Sequence, residues 1–320
     1  MQRIKDGAFE RRFFYTVRMN KEWLQDPFHH LVARGDEDYP ELLEQIPGPP
    51  AELYINGDPG VLHMPAIAIV GSRNPTRGGA RNAFEFARHL GHSGFCIVSG
   101  LAEGIDTAAH RGALEAGAPT VAFFGHGIDR VYPAANLDLA HKIARQGALV
   151  SEFPLGTHPQ KSLFPQRNRL ISGMSLGTLV VEAARRSGSL ITARLAGDQG
   201  REVFALPGSI HNPLSRGCHQ LIRQGAKLVE TADDIIAELI PLASHMLQKT
   251  LESTANEPIA KTSSDEYLQL RKFLSHDPAG VDELAANSGL TIDQVSSMLL
   301  ILELEGEVES LSGGRYSLLG

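Results

Sequence analysis

The sequence predicts an α/β protein in which an extended Rossmann-like, doubly wound sheet precedes a small winged helix-turn-helix domain. Two observations support the sheet. Seven short apolar segments recur between residues 66 and 230, and stretches with the pattern of helices lie between them. Short apolar runs without alternation are typical of parallel strands that are buried on both faces. Repeated strand and helix units of this kind form a mostly parallel sheet with right-handed crossovers.

The predicted strands follow one another along the middle of the chain. They are AIAIV (66–70), FCIVS (95–99), TVAFF (120–124), ALVSE (148–152), GTLVVE (177–182), EVFAL (202–206) and AKLVE (226–230). Several of the helical stretches between them end at glycine, which is a common stop signal for a helix. Ligands of doubly wound sheets lie beyond the carboxyl ends of the strands, so the turns that follow these strands are candidate binding segments.

The remaining parts of the chain predict the domain boundaries. Residues 1–64 are turn-rich from residue 34 onward, and we expect them to pack on the sheet domain, residues 65–240. Residues 241–264 lose apolar periodicity and collect Ser, Thr, Pro and Lys, which predicts a linker. Three helical stretches, followed by EVESL and GRYSL around a Ser-Gly-Gly turn, predict the winged helix over residues 265–320.

The formal net charge of −7 conceals two opposite surfaces. Residues 62–230 contain 18 Lys and Arg against 11 Asp and Glu, whereas residues 265–320 contain 3 against 10. This asymmetry indicates a polyanion site in the sheet domain and a different role for the acidic domain. The alternative is that the surface charge drifts between the domains without a functional meaning.

The composition also predicts the compartment. No apolar run approaches the roughly 18–20 residues of a membrane helix, so we expect no membrane partner. The first 25 residues lack the apolar core of a secretory signal. The two cysteines, Cys96 and Cys218, do not indicate a disulfide framework, and together with the missing signal they predict a cytoplasmic protein.

The first glycine-rich turn, VGSRNPTRGG (70–79), has the position of a phosphate-binding turn. Gly71 allows a close backbone approach, the following helix offers unpaired N–H groups, and Arg73 and Arg77 supply positive charge. The turn has neither the G-x-G-x-x-G nor the P-loop pattern, so it does not predict a nicotinamide or Mg-ATP site. A tight turn that only packs the helix on the strand is the alternative.

Further polar glycine-rich turns follow other strands, namely SGLAEGID (99–106), GHGIDRVYP (125–133), RRSGS (185–189) and PGS (207–209). At one edge of the sheet these turns can present several N–H groups to an extended polyanion. Asp106 opens a helix, where we expect a helix cap or an arginine partner rather than a catalytic acid. His110 is expected to be a surface or core residue of the same helix.

The segment HPQKSLFPQRNRLISG (158–173) combines an aromatic residue with several cations. Lys161, Arg167 and Arg169 surround Phe164. An aromatic ring for base stacking beside phosphate-binding cations is typical of single-strand binders with little sequence preference. The alternative is that Phe164 belongs to the core and the arginines form a solvated face, and the spacing alone does not decide between them.

Several segments together resemble the DNA-processing protein DprA (Smf) family over residues 30–240. They are VGSRNPT, VSGLAEGIDTAAHRGAL, FPQRNRLISGMS, GTLVVEAARRSGSLITARLA and ALPGSIHNPLSRGCHQLIRQGA. The resemblance implies that a pocket at the strand ends binds single-stranded DNA. The residues that it assigns to this pocket or to its borders are Gly71, Ser72, Arg73, Ser99, Gly100, Lys161, Phe164, Arg167, Asn168, Arg169 and Gly208.

The same resemblance implies the biological role. The family protects incoming single strands in natural transformation and helps to load the RecA recombinase onto them, and its sheet domain forms homodimers. Many relatives carry a helical domain ahead of the YPELL segment, whereas only about 35 residues precede it here. We expect this domain to be absent, with an atypical start of the chain as the alternative. The basic and aromatic opening, Arg11 to Tyr15, is expected to be a poorly packed terminus, with a nucleic-acid arm as the alternative.

Two other functions stay open. The fold resembles that of phosphoribohydrolases that act on nucleoside monophosphates, but their P-G-G-x-G-T-x-x-E segment is reduced here to SLGTLVVE, with Glu182 one residue late. A transcription regulator that reads duplex DNA is disfavoured because the recognition helix contains Asp293, Glu303 and Glu305 and no basic residue. No metal-ligand spacing or nucleophile–base pair stands out, so we predict no catalytic residue, cofactor or metal.

Overall fold

The computed structural model describes residues 21–256 and, further on, residues 270–275, 278–290, 295, 298–299, 302, 308–311 and 315–318. The chain divides into two compact units between Met246 and Leu247, and each unit is described by itself. The basic and aromatic residues 11–15 lie outside the described residues.

A sheet of nine strands forms the centre of the first unit. The strands are β1 (His29–Ala33), β2 (Glu52–Gly57), β3 (Ala66–Gly71), β4 (Cys96–Ser99), β5 (Thr120–Phe124), β6 (Ala148–Ser151), β7 (Gly177–Val181), β8 (Glu202–Ala205) and β9 (Lys227–Leu228). Their order is β1-β2-β6-β5-β4-β3-β7-β8-β9, and all neighbours from β6 to β9 are parallel. This sheet confirms the predicted fold class.

The first two strands extend the sheet beyond the predicted domain start. β1 pairs antiparallel with β2, and β2 pairs antiparallel with β6. Residues 1–64 therefore contribute two edge strands to the sheet, where the sequence predicted only a packed segment. β2 is anchored because Leu53 and Ile55 are completely buried. Its flanking Pro and Gly residues made the segment resemble a series of turns.

Helices cover both faces of the sheet. They are α1 (Glu41–Glu44), α2 (Arg77–His92), α3 (Ile105–Glu115), α4 (Leu137–Gln146), α5 (Leu163–Gly173), α6 (Ser189–Asp198), α7 (Arg216–Arg223) and α8 (Ala232–Asn256). In β3, Ile67 and Ile69 belong to one core cluster, while Ala68 and Val70 belong to the cluster on the other face. Burial on both faces explains why the parallel strands are apolar without alternation.

The long helix α8 corrects part of the linker prediction. It includes residues 241–256, which the sequence assigned to the linker, and Pro241 lies inside it. The apolar residues Ile235, Leu239 and Ala243 recur at intervals of four and are buried against the sheet domain, so packing carries the helix past the proline. Residues 257–264 of the predicted linker lie outside the described residues.

The second unit contains the predicted hairpin. Strand β11 (Val308–Leu311) pairs antiparallel with β12 (Arg315–Leu318), which also pairs with β10 (Ala279–Gly280) ahead of helix α9 (Val281–Ser288). A separate core joins these elements through buried apolar residues, among them Leu284, Leu299 and Val308. Asp293, Glu303 and Glu305, on which the predicted acidic recognition helix depended, lie outside the described residues.

The sheet changes its winding direction beside β3. The chain proceeds from β3 through β4 and β5 to β6 on one side, and then continues with β7, β8 and β9 on the other side of β3. Ligands of such sheets bind at this switch point, outside the carboxyl ends of the strands. Among the described residues, no helix has both the length and the apolar character that a membrane span requires.

Candidate nucleic-acid interface

A pocket of about 530 Å³ lies beyond the carboxyl end of β3. Six of the residues that the sequence assigned to a binding site line it, namely Gly71, Arg73, Lys161, Phe164, Arg167 and Asn168. The other side of the pocket is formed by the turn ahead of α6, with Ser187, Gly188 and Ser189. The structure therefore brings the turn after β3 and the first half of α5 to one cavity.

Close backbone packing fixes the turn that carries Arg73. A Cβ on Gly71 would lie 1.9 Å from the carbonyl oxygen of Val181 in β7, so only glycine fits there. Gly104 has a φ of +85°, and a Cβ on it would lie 2.4 Å from the carbonyl oxygen of Ser72. That oxygen accepts a hydrogen bond from Ile105 N–H at 3.1 Å. The exposed Arg73 side chain thus projects from a rigid turn.

The half-buried ring of Phe164 forms a wall of the pocket. The guanidinium carbon of Arg73 lies 5.8 Å from the ring centroid, and that of Arg167 lies 5.9 Å from it. Both distances are within the range of cation–π attraction. Tyr132 adds a second ring, with its centroid 6.0 Å from that of Phe164 and an interplanar angle of 45°. Phe164 is therefore supported from two sides, and part of its ring faces solvent.

Arg167 is a structural support of the pocket, not a free cation. Its side chain is only 4% exposed, and it donates hydrogen bonds to the carbonyl oxygens of Gly100, at 2.8 Å, and Phe123. Burial lowers the pKa of Arg167 to about 10. A Cβ on Gly100 would lie 2.4 Å from the guanidinium, so this glycine provides the space for the arginine. Arg167 joins the ends of β4 and β5 beneath Phe164.

Asp106, in the first turn of α3, also helps to hold the turn beneath the pocket. It is buried, and its Oδ2 accepts hydrogen bonds from the N–H groups of Gly100 and Ala102 at 3.2 and 3.3 Å. Burial raises the pKa of Asp106, while the positive charge of Arg167 acts in the opposite direction. The residue at the helix cap is Gly104. Asp106 is therefore not the cap residue, and its hydrogen bonds hold the turn between β4 and α3.

Three of the assigned residues have other roles in the structure. Ser99 is buried and donates its hydroxyl proton to the carbonyl oxygen of Ile69 at 2.6 Å. Arg169 forms an ion pair with Glu152, which occupies its charge. Gly208 lies in a different cavity, of about 170 Å³. The structure does not bring these three side chains or turns into the pocket around Phe164.

The amino end of α2 differs from the expected anion site. The carboxylate of Glu182, directly after β7, accepts hydrogen bonds from the N–H of Thr76 at 2.7 Å and from its hydroxyl at 2.6 Å. The Thr76 hydroxyl oxygen in turn accepts a hydrogen bond from Gly79 N–H at 3.0 Å. The expectation that this helix end offers unpaired N–H groups to a ligand is corrected for Thr76 and Gly79, whose N–H groups have partners within the protein.

Two family models match this chain. A family model described as DNA recombination-mediator protein A matches residues 30–240, and one described as DprA winged helix domain matches residues 254–314. Together the two models cover both units of the chain. The chain belongs to the DprA family. The resemblance inferred from the sequence motifs is thereby confirmed.

Similar proteins of the DprA family come from several bacteria. Protein Smf of Escherichia coli is 42% identical over 293 residues, which cover 91% of this chain and 78% of that protein. The X-ray structure of DprA from Streptococcus pneumoniae is 42% identical, covers 72% of this chain and 81% of that one, and has a TM-score of 0.66. DprA from Helicobacter pylori, whose structure concerns its single-stranded DNA binding mode, is 31% identical, with a TM-score of 0.61 and coverages of 67% and 96%.

Sequence reasoning missed one aromatic residue of the pocket around Phe164. Tyr132 is 51% exposed and lines the pocket beside Phe164. Its signal lies in the glycine-rich turn GHGIDRVYP, from which the sequence analysis predicts only backbone N–H groups for a ligand. Among the described residues, no group of three or more His, Cys, Asp or Glu side chains could hold a metal ion.

Proposed function

We propose that this DprA-family protein binds single-stranded DNA in the pocket around Phe164. The observation that carries the proposal is a half-exposed aromatic ring beside two exposed cations, Arg73 and Lys161. Neither cation forms an ion pair with a described residue, so both charges are available to phosphates. A base stacks on Phe164 while the flanking phosphates contact the cations, which gives binding with little sequence preference.

The proposed role extends to DNA processing in natural transformation. In this role the protein protects incoming single strands, helps to load the RecA recombinase, acts as a homodimer in the cytoplasm, and catalyses no reaction. Membership of the DprA family supports this role, as does the relative from Helicobacter pylori that is described by its single-stranded DNA binding mode. The assigned pocket residues support only the DNA-binding part of it.

The alternative of a nucleoside-monophosphate hydrolase receives no support from the arrangement of Glu182. A catalytic glutamate must reach the substrate, but this carboxylate is held by Thr76 at the amino end of α2. It also occupies the position that a substrate phosphate would favour. Single-strand binding therefore remains the better proposal.

The test is a titration of labelled oligothymidylate and of duplex DNA, followed by fluorescence anisotropy. Phe164→Ala should weaken single-strand binding by about 1–3 kcal/mol, whatever the base sequence. Arg73→Ala and Lys161→Ala should each reduce the log–log salt slope by about 0.7, because each removes one phosphate contact. Phe28→Ala and Arg81→Ala, which change an exposed ring and an exposed cation elsewhere, serve as matched controls.

Some results would contradict the proposal. The pocket is the wrong site if Phe164→Ala and Arg73→Ala bind single strands as the parent protein does. Preference for a particular duplex would instead indicate a transcription regulator. Release of base from nucleoside monophosphates would indicate a nucleoside-monophosphate hydrolase.

A further inference from the structure

A second basic groove begins where the pocket around Phe164 ends. It has a volume of about 610 Å³ and lies against α6, α7, β8 and β9. Ser187 and Ile191 line both the groove and the pocket, so the two cavities are neighbours along the first turn of α6. A ligand too long for the pocket meets this groove next.

The charge of the groove is strongly positive. Five cations line it against one acid, and these residues are Arg185, Arg186, Arg194, Arg201, Lys227 and Glu202. Two of the cations are already engaged: Arg201 donates to the carbonyl oxygen of Leu42, and Lys227 pairs with Glu238. Among the described residues of the groove, the cations whose side chains are without a partner are therefore the other three arginines.

Arg185, Arg186 and Arg194 are exposed. Within the described part of the chain, the side chains of these three arginines have no hydrogen bond and no ion pair. Exposed and unpaired guanidinium groups along one groove fit a series of phosphates better than a single anion, because each can bind one phosphate of an extended backbone. Ile191, which is 42% exposed between the two cavities, offers an apolar contact to a base.

We propose that this groove is a second section of the single-strand site and carries the DNA backbone beyond the nucleotides held at Phe164. The inference rests on the proposed function, because it names the path of the same ligand. Single-strand binders commonly combine a stacking aromatic with a positively charged groove that follows the backbone. An acidic protein segment is the other possible occupant, and the experiment below separates it from DNA.

The test compares the parent with the triple variant Arg185→Ala, Arg186→Ala, Arg194→Ala on oligothymidylates of about 4 to about 16 nucleotides, the range of single-strand site sizes. The parent should gain affinity and salt dependence with length. The triple variant should bind the shortest oligonucleotide as the parent does. It should lose most of the increase in affinity that the parent shows with longer oligonucleotides. For the longest one, three lost contacts should reduce the salt slope by about 2 and the affinity at least about tenfold at about 0.1 M salt.

A matched triple variant controls for the change in net charge. Arg111→Ala, Lys142→Ala and Arg145→Ala remove the same charge from exposed residues of another groove, between α3 and α4. This variant should keep the full gain of affinity with length. Sedimentation of both variants should give the oligomeric state of the parent.

Different results would overturn the groove proposal and the pocket proposal. The groove proposal is overturned if the length gain survives in the first triple variant, as expected for an acidic protein as the occupant. It is also overturned if the control triple loses the gain equally, or if the loss accompanies a changed oligomeric state. The pocket proposal fails instead if Phe164→Ala binds the shortest oligonucleotide as the parent does.

Discussion

The carboxylate of Glu182 accepts hydrogen bonds from both the backbone N–H and the hydroxyl of Thr76. Glu182 follows β7 and Thr76 precedes α2, so this contact closes the crevice where the sheet changes its winding direction. A carboxylate at a helix amino end is attracted by the same partial positive charge that attracts a bound phosphate. The chain thus places its own carboxylate at the helix end beside the switch point, and the candidate DNA pocket lies next to it.

Replacing Glu182 by alanine should both destabilise the protein and open an anion site at this helix end. We expect the free energy of unfolding to fall by about 1–2 kcal/mol, because the helix end loses a charged hydrogen-bond partner. At matched ionic strength, inorganic phosphate should then raise the Tm of Glu182→Ala by more than that of the parent, because the variant has one additional site for the ion. Urea unfolding and thermal melts measure the two effects. Glu182→Gln, which keeps an acceptor for Thr76, should lose less stability than Glu182→Ala. A fully stable alanine variant without a phosphate response would contradict the proposed role of Glu182 at the amino end of α2.

The effect of replacing Gly79 by alanine should depend on whether Glu182 is present. A Cβ on Gly79 would lie 2.4 Å from the carboxyl carbon of Glu182, so Gly79→Ala should destabilise the parent by displacing this carboxylate. In the Glu182→Ala background the same substitution should be neutral or stabilising by up to about 1 kcal/mol, because alanine restricts the unfolded chain. A double-mutant cycle in urea measures the coupling. Additive effects of the two substitutions would show that the carboxylate lies elsewhere.

A comparison of Arg167 with Arg73 variants should distinguish structural support of the pocket from contact with DNA. Arg167→Met keeps much of the volume but leaves the carbonyl groups of Gly100 and Phe123 without their donor, so we expect a loss of about 3 kcal/mol in unfolding free energy. Arg73→Ala should instead leave the stability nearly unchanged and reduce the salt slope of single-strand binding. Urea unfolding and salt titrations of both variants test this division. A stable Arg167→Met with a reduced salt slope would assign Arg167 to a phosphate.

The central sheet could be predicted because β3 to β7 are buried on both faces and therefore form nearly continuous apolar runs. β1 and β2 escaped prediction because their pairing depends on β6, which lies far along the chain, and because Gly and Pro flank β2. The helical residues after Pro241 escaped prediction for a related reason. Their helix is stabilised by tertiary packing of Ile235, Leu239 and Ala243, which local composition does not reveal.

The parts of the candidate site that directly follow a strand, or that share one segment, could be predicted from the sequence. Arg73 follows a buried strand, and Lys161 and Phe164 share one segment, so topology alone places them near one edge of the sheet. The inward direction of Arg167 was not predictable, because it requires the space left by Gly100 and two carbonyl groups from different strands. The pairing of Glu182 with Thr76 likewise joins segments that are distant in sequence.

Tyr132 should act as a second stacking surface. It is exposed and its ring lies 6.0 Å from that of Phe164, so a neighbouring base has access to it. We expect Tyr132→Ala to weaken single-strand binding by about 1 kcal/mol, near the lower end for aromatic stacking, and Tyr132→Phe to bind as the parent does. Anisotropy titrations with oligothymidylate and oligodeoxyadenylate measure both variants. If the phenylalanine variant loses as much as the alanine variant, the hydroxyl group rather than the ring carries the contact.

His110 should make the stability fall in mild acid. It is completely buried on α3, and burial lowers its pKa to about 3. The hydroxyl of Thr120 donates to the carbonyl oxygen of Ile97 at 2.6 Å, so its contact with His110 Nδ1 at 2.8 Å needs the proton on that nitrogen. Nδ1 therefore carries the proton of a neutral imidazole ring, and the buried Nε2 has no partner among the described residues.

The sign of the pH effect follows from this neutral state. In the unfolded chain His110 takes up a proton near pH 6.5, whereas in the folded protein it does so only near its lowered pKa of about 3. The unfolded state therefore binds more protons as the pH falls, and His110 alone should cost about 2 kcal/mol of stability between pH 7 and pH 5. His110→Gln, whose amide can donate to Thr120 but does not titrate, should lose correspondingly less over this interval. Urea unfolding at both pH values measures the difference, and parallel losses in parent and variant would mean that the pKa of His110 is the same in the folded and the unfolded protein.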